Sequence, residues 1–271
     1  MERLKIAIFG SDGFIGTHLL KLLSQNEKIE LIPFKGNNLE RKEIFDFFEE
    51  NSGIDQVINL AGTFFGDFDQ LSKVNLVVLN NILETATANK VGKIIYTSSG
   101  AVYGEPLRSE SKESDPLHPN TVYGLVKKYC EESVLFYNET KRLEYCILRF
   151  SNVYGEGNNK GVIYNFLTDI EKSGKVRVTG DGEQSRNFLY VTDACEALEK
   201  AIFHKKSAVF NISNPIKVSI NDILEKLRQT HKFEVEYVKS DNFLKDLLLN
   251  IDKAKEELGF EPKVVDLKLD L

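Results

Sequence analysis

The chain has 271 residues, 42% of them hydrophobic and 28% charged, with a formal charge of −6 at pH 7. This is the composition of a water-exposed globule with an ordinary apolar core. The negative balance argues against nucleic acid as a main partner, but leaves room for a small anionic ligand at a local basic site. No run approaches the roughly 18 apolar residues of a membrane-spanning helix, so no membrane partner is expected. The segment Met1 to Gly10 lacks the apolar core and cleavage site of a secretion signal. Cys130, Cys146 and Cys195 are odd in number and widely spaced. That pattern predicts buried, reduced thiols in a cytoplasmic protein, with no disulfide framework and no metal site.

In chain order, Leu4 to Phe9 is a short apolar run ending at Gly10, the pattern of a buried parallel strand. Phe14 to Ser24 has apolar residues at helical spacing. A second strand fits Ile29 to Phe34, an amphipathic helix Arg41 to Glu50, and a third strand Gln56 to Leu60. Helix Leu76 to Ala88 and strand Lys93 to Thr97 follow, then helix Tyr123 to Glu139 and strand Tyr145 to Arg149. Strands alternating with helices predict an α/β fold built on a doubly wound, mostly parallel sheet. Past Asn152 the pattern loosens into turns at Gly155–Gly161 and Gly180–Gly182. Residues 1–155 with about 187–210 are read as the sheet domain; helix Thr192 to Phe203 and strand Ala208 to Ile212 return to it. Residues 156–186 with 211–271 are read as a small C-terminal substrate lobe. Ligands of open α/β sheets bind at the carboxyl ends of strands, where the chemistry-bearing residues fall here.

Gly10, Gly13 and Gly16 follow the first strand. The first permits a tight turn, the second lets backbone approach phosphate, and the third lets helix and strand pack closely. The helix N-terminus at Phe14 and Ile15 then offers free N–H groups to a pyrophosphate, so this loop predicts dinucleotide binding. An acid at the end of the second strand would hold the ribose hydroxyls of NAD. Here the chain reads Pro33-Phe34-Lys35-Gly36-Asn37. Lys35 is either a solvated lysine or a partner for a 2′-phosphate, which tilts the expectation towards NADP over NAD. Tyr123 and Lys127 stand at i and i+4 and share a helix face. An ammonium and an oxidised nicotinamide would both lower the phenol pKa from its usual value near 10. Tyr123 would then move a proton at a hydroxyl while hydride moves at carbon, with Lys127 holding the nicotinamide ribose. Ser99, after the fourth strand, can hydrogen-bond the same oxygen.

These motifs occur in order with Asn59-Leu-Ala-Gly62, Ser98-Ser-Gly-Ala-Val-Tyr-Gly104, Arg149-Phe-Ser-Asn-Val-Tyr-Gly155, Gly180-Asp-Gly-Glu-Gln-Ser-Arg-Asn-Phe188 and Asp252 to Pro262. Over nearly its whole length the chain resembles the extended short-chain dehydrogenases/reductases, of the nucleotide-sugar epimerase/dehydratase kind. The resemblance implies a Rossmann sheet and a nucleotide-sugar substrate. It implies Ser99, Tyr123 and Lys127 as catalytic residues, with Ser99 and Tyr123 touching the sugar. Asn152 is implied for the nucleotide-sugar, and Arg186 for its diphosphate through a forked guanidinium. Leu60, Ala61, Gly62 and Asn75 are implied at the cofactor.

Related dehydratases carry an Asp-Glu pair after the catalytic hydroxyl. Gly100 and Ala101 stand there instead and cannot do acid–base work. That leaves a reductase of nucleotide-linked 4-keto sugars, favoured by the compact segment after the second strand, and a 4-epimerase holding NAD. A non-catalytic, cofactor-binding regulator of the same fold is the third reading. Helices Leu76–Ala88 and Tyr123–Glu139 resemble those that pair in family dimers.

Overall fold

A computed structural model of the chain describes residues 3–36, 39–107, 109–239 and 246–269. The first half runs β1 (Leu4–Phe9), α1 (Phe14–Leu23), β2 (Ile29–Pro33), α2 (Arg41–Glu50) and β3 (Gln56–Asn59). A continuous helical stretch follows: α3 (Phe68–Leu71), a π-helical turn over Ser72–Val77, and α4 (Val78–Ala88). Then come β4 (Lys93–Ser99), a 3₁₀ turn at Gly100–Val102, α5 (Val122–Lys141) and β5 (Glu144–Phe150). The second half comprises β6 (Asn152–Tyr154), α6 (Val162–Ser173), β7 (Lys175–Thr179), β8 (Ser185–Arg186), β9 (Phe188–Tyr190), α7 (Val191–Phe203) and β10 (Ala208–Ile212). It continues with β11 (Val218–Ser219), α8 (Ile220–Arg228), β12 (Glu234–Val238), β13 (Asp246–Leu247) and a second π-helical turn at Ala254–Leu258.

Among the described residues one sheet has the order β10-β5-β4-β3-β1-β2, every pair parallel. Alternation along β1 assigns its residues to two faces. Ile6 and Ile8 pack with Leu19 and Leu23 of α1 and Leu198 and Ile202 of α7. Ala7 and Phe9 pack with Ile44 and Phe48 of α2, Ile82 of α4 and Val126 and Cys130 of α5. Helices therefore cover both faces, as expected of a doubly wound Rossmann-like sheet. The chain leaves β1 for β2 on one side and returns past it to β3 on the other. The strand order therefore reverses between β1 and β3, and a crevice opens at their carboxyl ends.

A further apolar cluster lies beyond the sheet. It joins Ile163, Phe166 and Ile170 of α6 to Ile223, Leu224 and Leu227 of α8, with Val176, Val178, Tyr154 and Phe188. β7 and β12 pair in parallel, β6 pairs with β9, and β8 lies between β11 and β13. The assignment of all of 211–271 to a separate lobe needs correction. Asn211 and Ile212 complete β10, and Ala254, Leu258 and Phe260 pack into the sheet core beside α7. Their apolar side chains cover a face that α1 and α7 leave incomplete.

Cys130, Cys146 and Cys195 are free and buried. No helix among the described residues is long and apolar enough to cross a membrane.

Candidate active site

The glycine loop forms because β1 ends at Gly10 with φ +80°, a left-handed conformation natural to glycine. A Cβ there would sit 2.7 Å from the Ala61 amide nitrogen, so the turn presses directly on the β3 exit. A Cβ on Gly16 would run into the carbonyl oxygens of Gly10 and Ser11. The N-cap of α1 is Gly13, whose lack of a side chain leaves the first amides uncapped, and no acid occupies the first turn. The N–H groups of Phe14, Ile15 and Gly16 thus face the crevice with partial positive charge, which fits a pyrophosphate. Leu60, Ala61 and Gly62 form the opposite wall. A Cβ on Gly62 would lie 2.5 Å from Asn75 Oδ1, so a side chain there would displace the Asn75 amide. This cradle of amides and glycines fits a dinucleotide cofactor.

Asn75 lies inside the π-helical turn and is buried. Its amide donates to the Thr63 and Leu71 carbonyls, both at 2.9 Å, and its oxygen accepts from Thr63 N at 3.2 Å. It fixes the loop leaving Gly62.

Thr121 caps α5 by accepting from Gly124 N at 3.0 Å, placing Tyr123 in the first helical turn. Gly124 lets the helix lie against the 3₁₀ turn, because a Cβ there would collide with the Ala101 carbonyl and Pro119. That contact puts the Tyr123 hydroxyl on the side of the 3₁₀ turn where Ser99 lies, close enough for the serine to act on the phenol. Burial raises the Tyr123 phenol to about 12 even though Ser99 acts to lower it. Lys127, one turn on, is buried, and donates to Thr97 O at 2.8 Å and Tyr96 OH at 3.0 Å. Its ammonium lies 6.0 Å from the Tyr123 ring centre, and burial lowers its pKa. Ser99 pairs in register with Phe150 of β5, two residues before Asn152. Asn152 is exposed at the start of β6, and β6 pairs with Phe188, two residues after Arg186. Arg186 is half-buried in β8; its Nη1 donates to Ser185 O at 2.7 Å and Asp246 lies near it. The structure therefore gathers Gly10–Gly16, Leu60–Gly62, Asn75, Ser99, Tyr123, Lys127 and Asn152 at the carboxyl edge of the sheet, with Arg186 on the strand beside it. Lys35 is exposed at the end of β2.

Two features had no sequence motif. Phe64 and Phe65 are exposed, their rings tilted against each other with centres 4.1 Å apart, and Phe64 meets the Tyr123 ring edge-on at 6.4 Å. Lys160 lies over both rings, at 5.7 and 5.6 Å. Their signal is two aromatics in a loop just after Gly62, where burial cannot explain them. The second is Glu43 of α2, whose Oε2 lies 3.0 Å from where a Gly36 Cβ would stand. It brings a carboxylate to the end of β2, where the local sequence has none.

A family model described as the NAD dependent epimerase/dehydratase family matches residues 6–213. A candidate UDP-glucose 4-epimerase of Methanocaldococcus jannaschii is 31% identical, covering 97% of this chain and 94% of its own length. UDP-glucuronic acid decarboxylase 6 of Arabidopsis thaliana is 29% identical over 97% of this chain and 85% of its own. Among solved structures, the UDP-glucuronic acid 4-epimerase of Bacillus cereus, in complex with UDP-glucuronic acid and NAD, superimposes with a TM-score of 0.83, with 25% identity over 98% of this chain and 95% of that one. The chain belongs to the NAD-dependent epimerase/dehydratase family, within the extended short-chain dehydrogenases/reductases, and is an enzyme of that family.

Proposed function

We propose that this enzyme is a 4-epimerase of a UDP-linked sugar that retains NAD. The observation that carries the reading is the grouping of Ser99, Tyr123 and buried Lys127, its ammonium 6.0 Å from the Tyr123 ring centre and bonded to Thr97 O, at the strand ends that form the dinucleotide cradle. The extended likeness to the M. jannaschii protein and the UDP-sugar and NAD of the B. cereus complex support it. Gly10 to Gly16 would hold the pyrophosphate, with Lys127 and Asn75 at the nicotinamide end. The bound dinucleotide supplies a hydride acceptor, and on the return step the donor. Tyr123 takes the proton from the sugar C4 hydroxyl and later gives it back, and Ser99 steadies the developing oxyanion. Lys127 supplies fixed positive charge. Arg186 and Asn152 hold the nucleotide diphosphate and sugar while the ketone presents its other face. Gly100 and Ala101 provide no second acid for elimination of water.

NAD is proposed over NADP because Glu43 stands at the end of β2, where a carboxylate suits ribose hydroxyls and repels a 2′-phosphate. The exposed Lys35 favours the second reading, a 4-keto sugar reductase using NADPH with the same acid–base pair. Denaturing the purified protein and identifying the released dinucleotide separates them. Near-stoichiometric NAD, with interconversion of UDP-glucose and UDP-galactose or of their uronates, is expected. An empty site that binds NADPH more tightly and reduces a nucleotide-linked 4-keto sugar supports the reductase instead. Tyr123→Phe is expected to lose about 10²–10⁴-fold in turnover with cofactor binding kept; unchanged turnover would end the acid–base assignment.

We also propose a homodimer through α5. Val122, Tyr129 and Phe136 are exposed at seven-residue spacing, so they form one apolar stripe along the helix.

A further inference from the structure

Glu131 lies one turn beyond Lys127 on the buried face of α5, and the acid–base scheme gives it no task. Its carboxylate accepts from Ser98 Oγ at 2.5 Å and from Arg149 through Nε at 3.0 and 3.2 Å and Nη2 at 2.7 Å. The two charged side chains are only 3% and 6% exposed. Arg149 Nη1 donates to Tyr103 OH at 2.7 Å, and that hydroxyl donates to Asn211 Oδ1 at 2.8 Å. Asn211 in turn donates to the carbonyls of Ser111 and Asn250. Next to Asn250, Leu249 lies against Gly100, and its N–H donates to Asn187, the neighbour of Arg186.

A buried ion pair is no more stabilising than well-packed apolar residues of the same volume. Its location is therefore the informative property. Lys127 holds Tyr96 and Thr97, and Glu131 holds Ser98, so three consecutive β4 residues are fastened to the helix face that carries Tyr123. Ser99 is the next residue.

We propose that Glu131, braced by Arg149, is a positioning residue that sets the register of β4 against α5 so that Ser99 meets Tyr123. The inference rests on the reading of Ser99, Tyr123 and Lys127 as the acid–base centre. Glu131 also adds charge to that centre. Lys127 is faced by Tyr96 from β4, by Tyr123, Cys130 and Glu131 from α5, and by Asn75 and Gly62 across the crevice, with Arg149 of β5 behind Glu131. Glu131 is the carboxylate that opposes the burial of the Lys127 ammonium.

The test is steady-state kinetics of the NAD-loaded enzyme with its UDP-sugar, for the wild type, Glu131→Gln and Ser98→Ala. Glu131→Gln keeps the shape and removes the charge. Its kcat is expected to fall about tenfold with KM and NAD affinity within about twofold of the wild type. The alkaline limb of its pH–kcat profile moves to lower pH, because Lys127 loses its counter-charge and faces an unpaired Arg149. Ser98→Ala leaves the ion pair intact, and guards against failure of the first variant to fold. It is expected to lower kcat about fivefold with KM and the pH profile unmoved. Unchanged kcat in Ser98→Ala overturns the proposal. So does a Glu131→Gln loss that merely tracks lost NAD binding and melting temperature, with no pH shift. If Tyr123→Phe keeps full turnover, the acid–base reading has failed. If Tyr123→Phe is dead and both other variants match the wild type, only the positioning role has failed.

Discussion

Ser99 holds the Tyr123 phenol closer to usable pH than its burial alone would. Burial penalises phenolate, Ser99 stabilises it, and the N-terminal turn of α5 adds partial positive charge at the same place. A base must be deprotonated to act, so rate rises with pH through the phenol pKa. Ser99→Ala should therefore move the rising limb of the pH–rate profile to higher pH and cost about 10²-fold in kcat near neutrality, read from initial rates across pH. The pairing of Tyr123 with Lys127 is legible in sequence because helix geometry alone puts i and i+4 on one face. The direction of the lysine is not. Its ammonium donates to Tyr96 and Thr97, partners supplied by a strand some thirty residues away. The sequence predicts that the ammonium lowers the tyrosine pKa; burial, which raises it, is the largest influence. Glu43 is hidden for a similar reason, since only the approach of α2 to Gly36 brings a carboxylate to the end of β2. Glu43→Ala should weaken NAD binding and narrow its advantage over NADP by about tenfold, as measured by fluorescence titration.

Turns and helix starts place these side chains, and each depends on a missing Cβ. Gly16→Ala would force the α1 entrance away from the Gly10 and Ser11 carbonyls. Cofactor affinity should fall at least about tenfold, with a lower melting temperature, in titration and thermal denaturation. Gly124→Ala should separate α5 from the 3₁₀ turn and cost about 10–10²-fold in kcat with cofactor binding kept, since small misplacements of acid–base groups are expensive. The glycines and the strand–helix alternation can be read locally, because each follows from a neighbouring apolar run. The π-helical turn at Ser72–Val77 cannot. It arises where Asn75 turns its amide to the Thr63 loop, a tertiary demand that helical spacing does not record. Phe64 and Phe65 are similar: aromatics in a loop have no periodicity, and Tyr123 beside them comes from another part of the chain.

At the scale of the molecule, the sheet is the more legible part, since apolar β-runs separated by helices leave few arrangements. The pairing of β7 with β12 joins residues nearly sixty positions apart through short, half-exposed strands, so sequence patterning carries little of it. The C-terminal segment is divided between sheet and lobe because Phe260 and Leu258 find their apolar partners on α7. The stripe on α5 has a direct test: Phe136→Glu should convert a dimer to a monomer in light scattering with the far-ultraviolet circular dichroism unchanged. A wild type that is already monomeric excludes the α5 dimer.

The two outer strands of the sheet, β2 and β10, carry a further consequence. Phe34 N–H bonds inward to Ile8 O, so the alternation of β2 points position 33 outward. That position is proline, which has no N–H to offer. The rim therefore lacks a donor where another chain would begin to add a strand, and Glu30 and Lys35 place charges along it. An open sheet with this rim resists fibril-like stacking at high concentration, and Pro33→Val would be the change most apt to remove that protection.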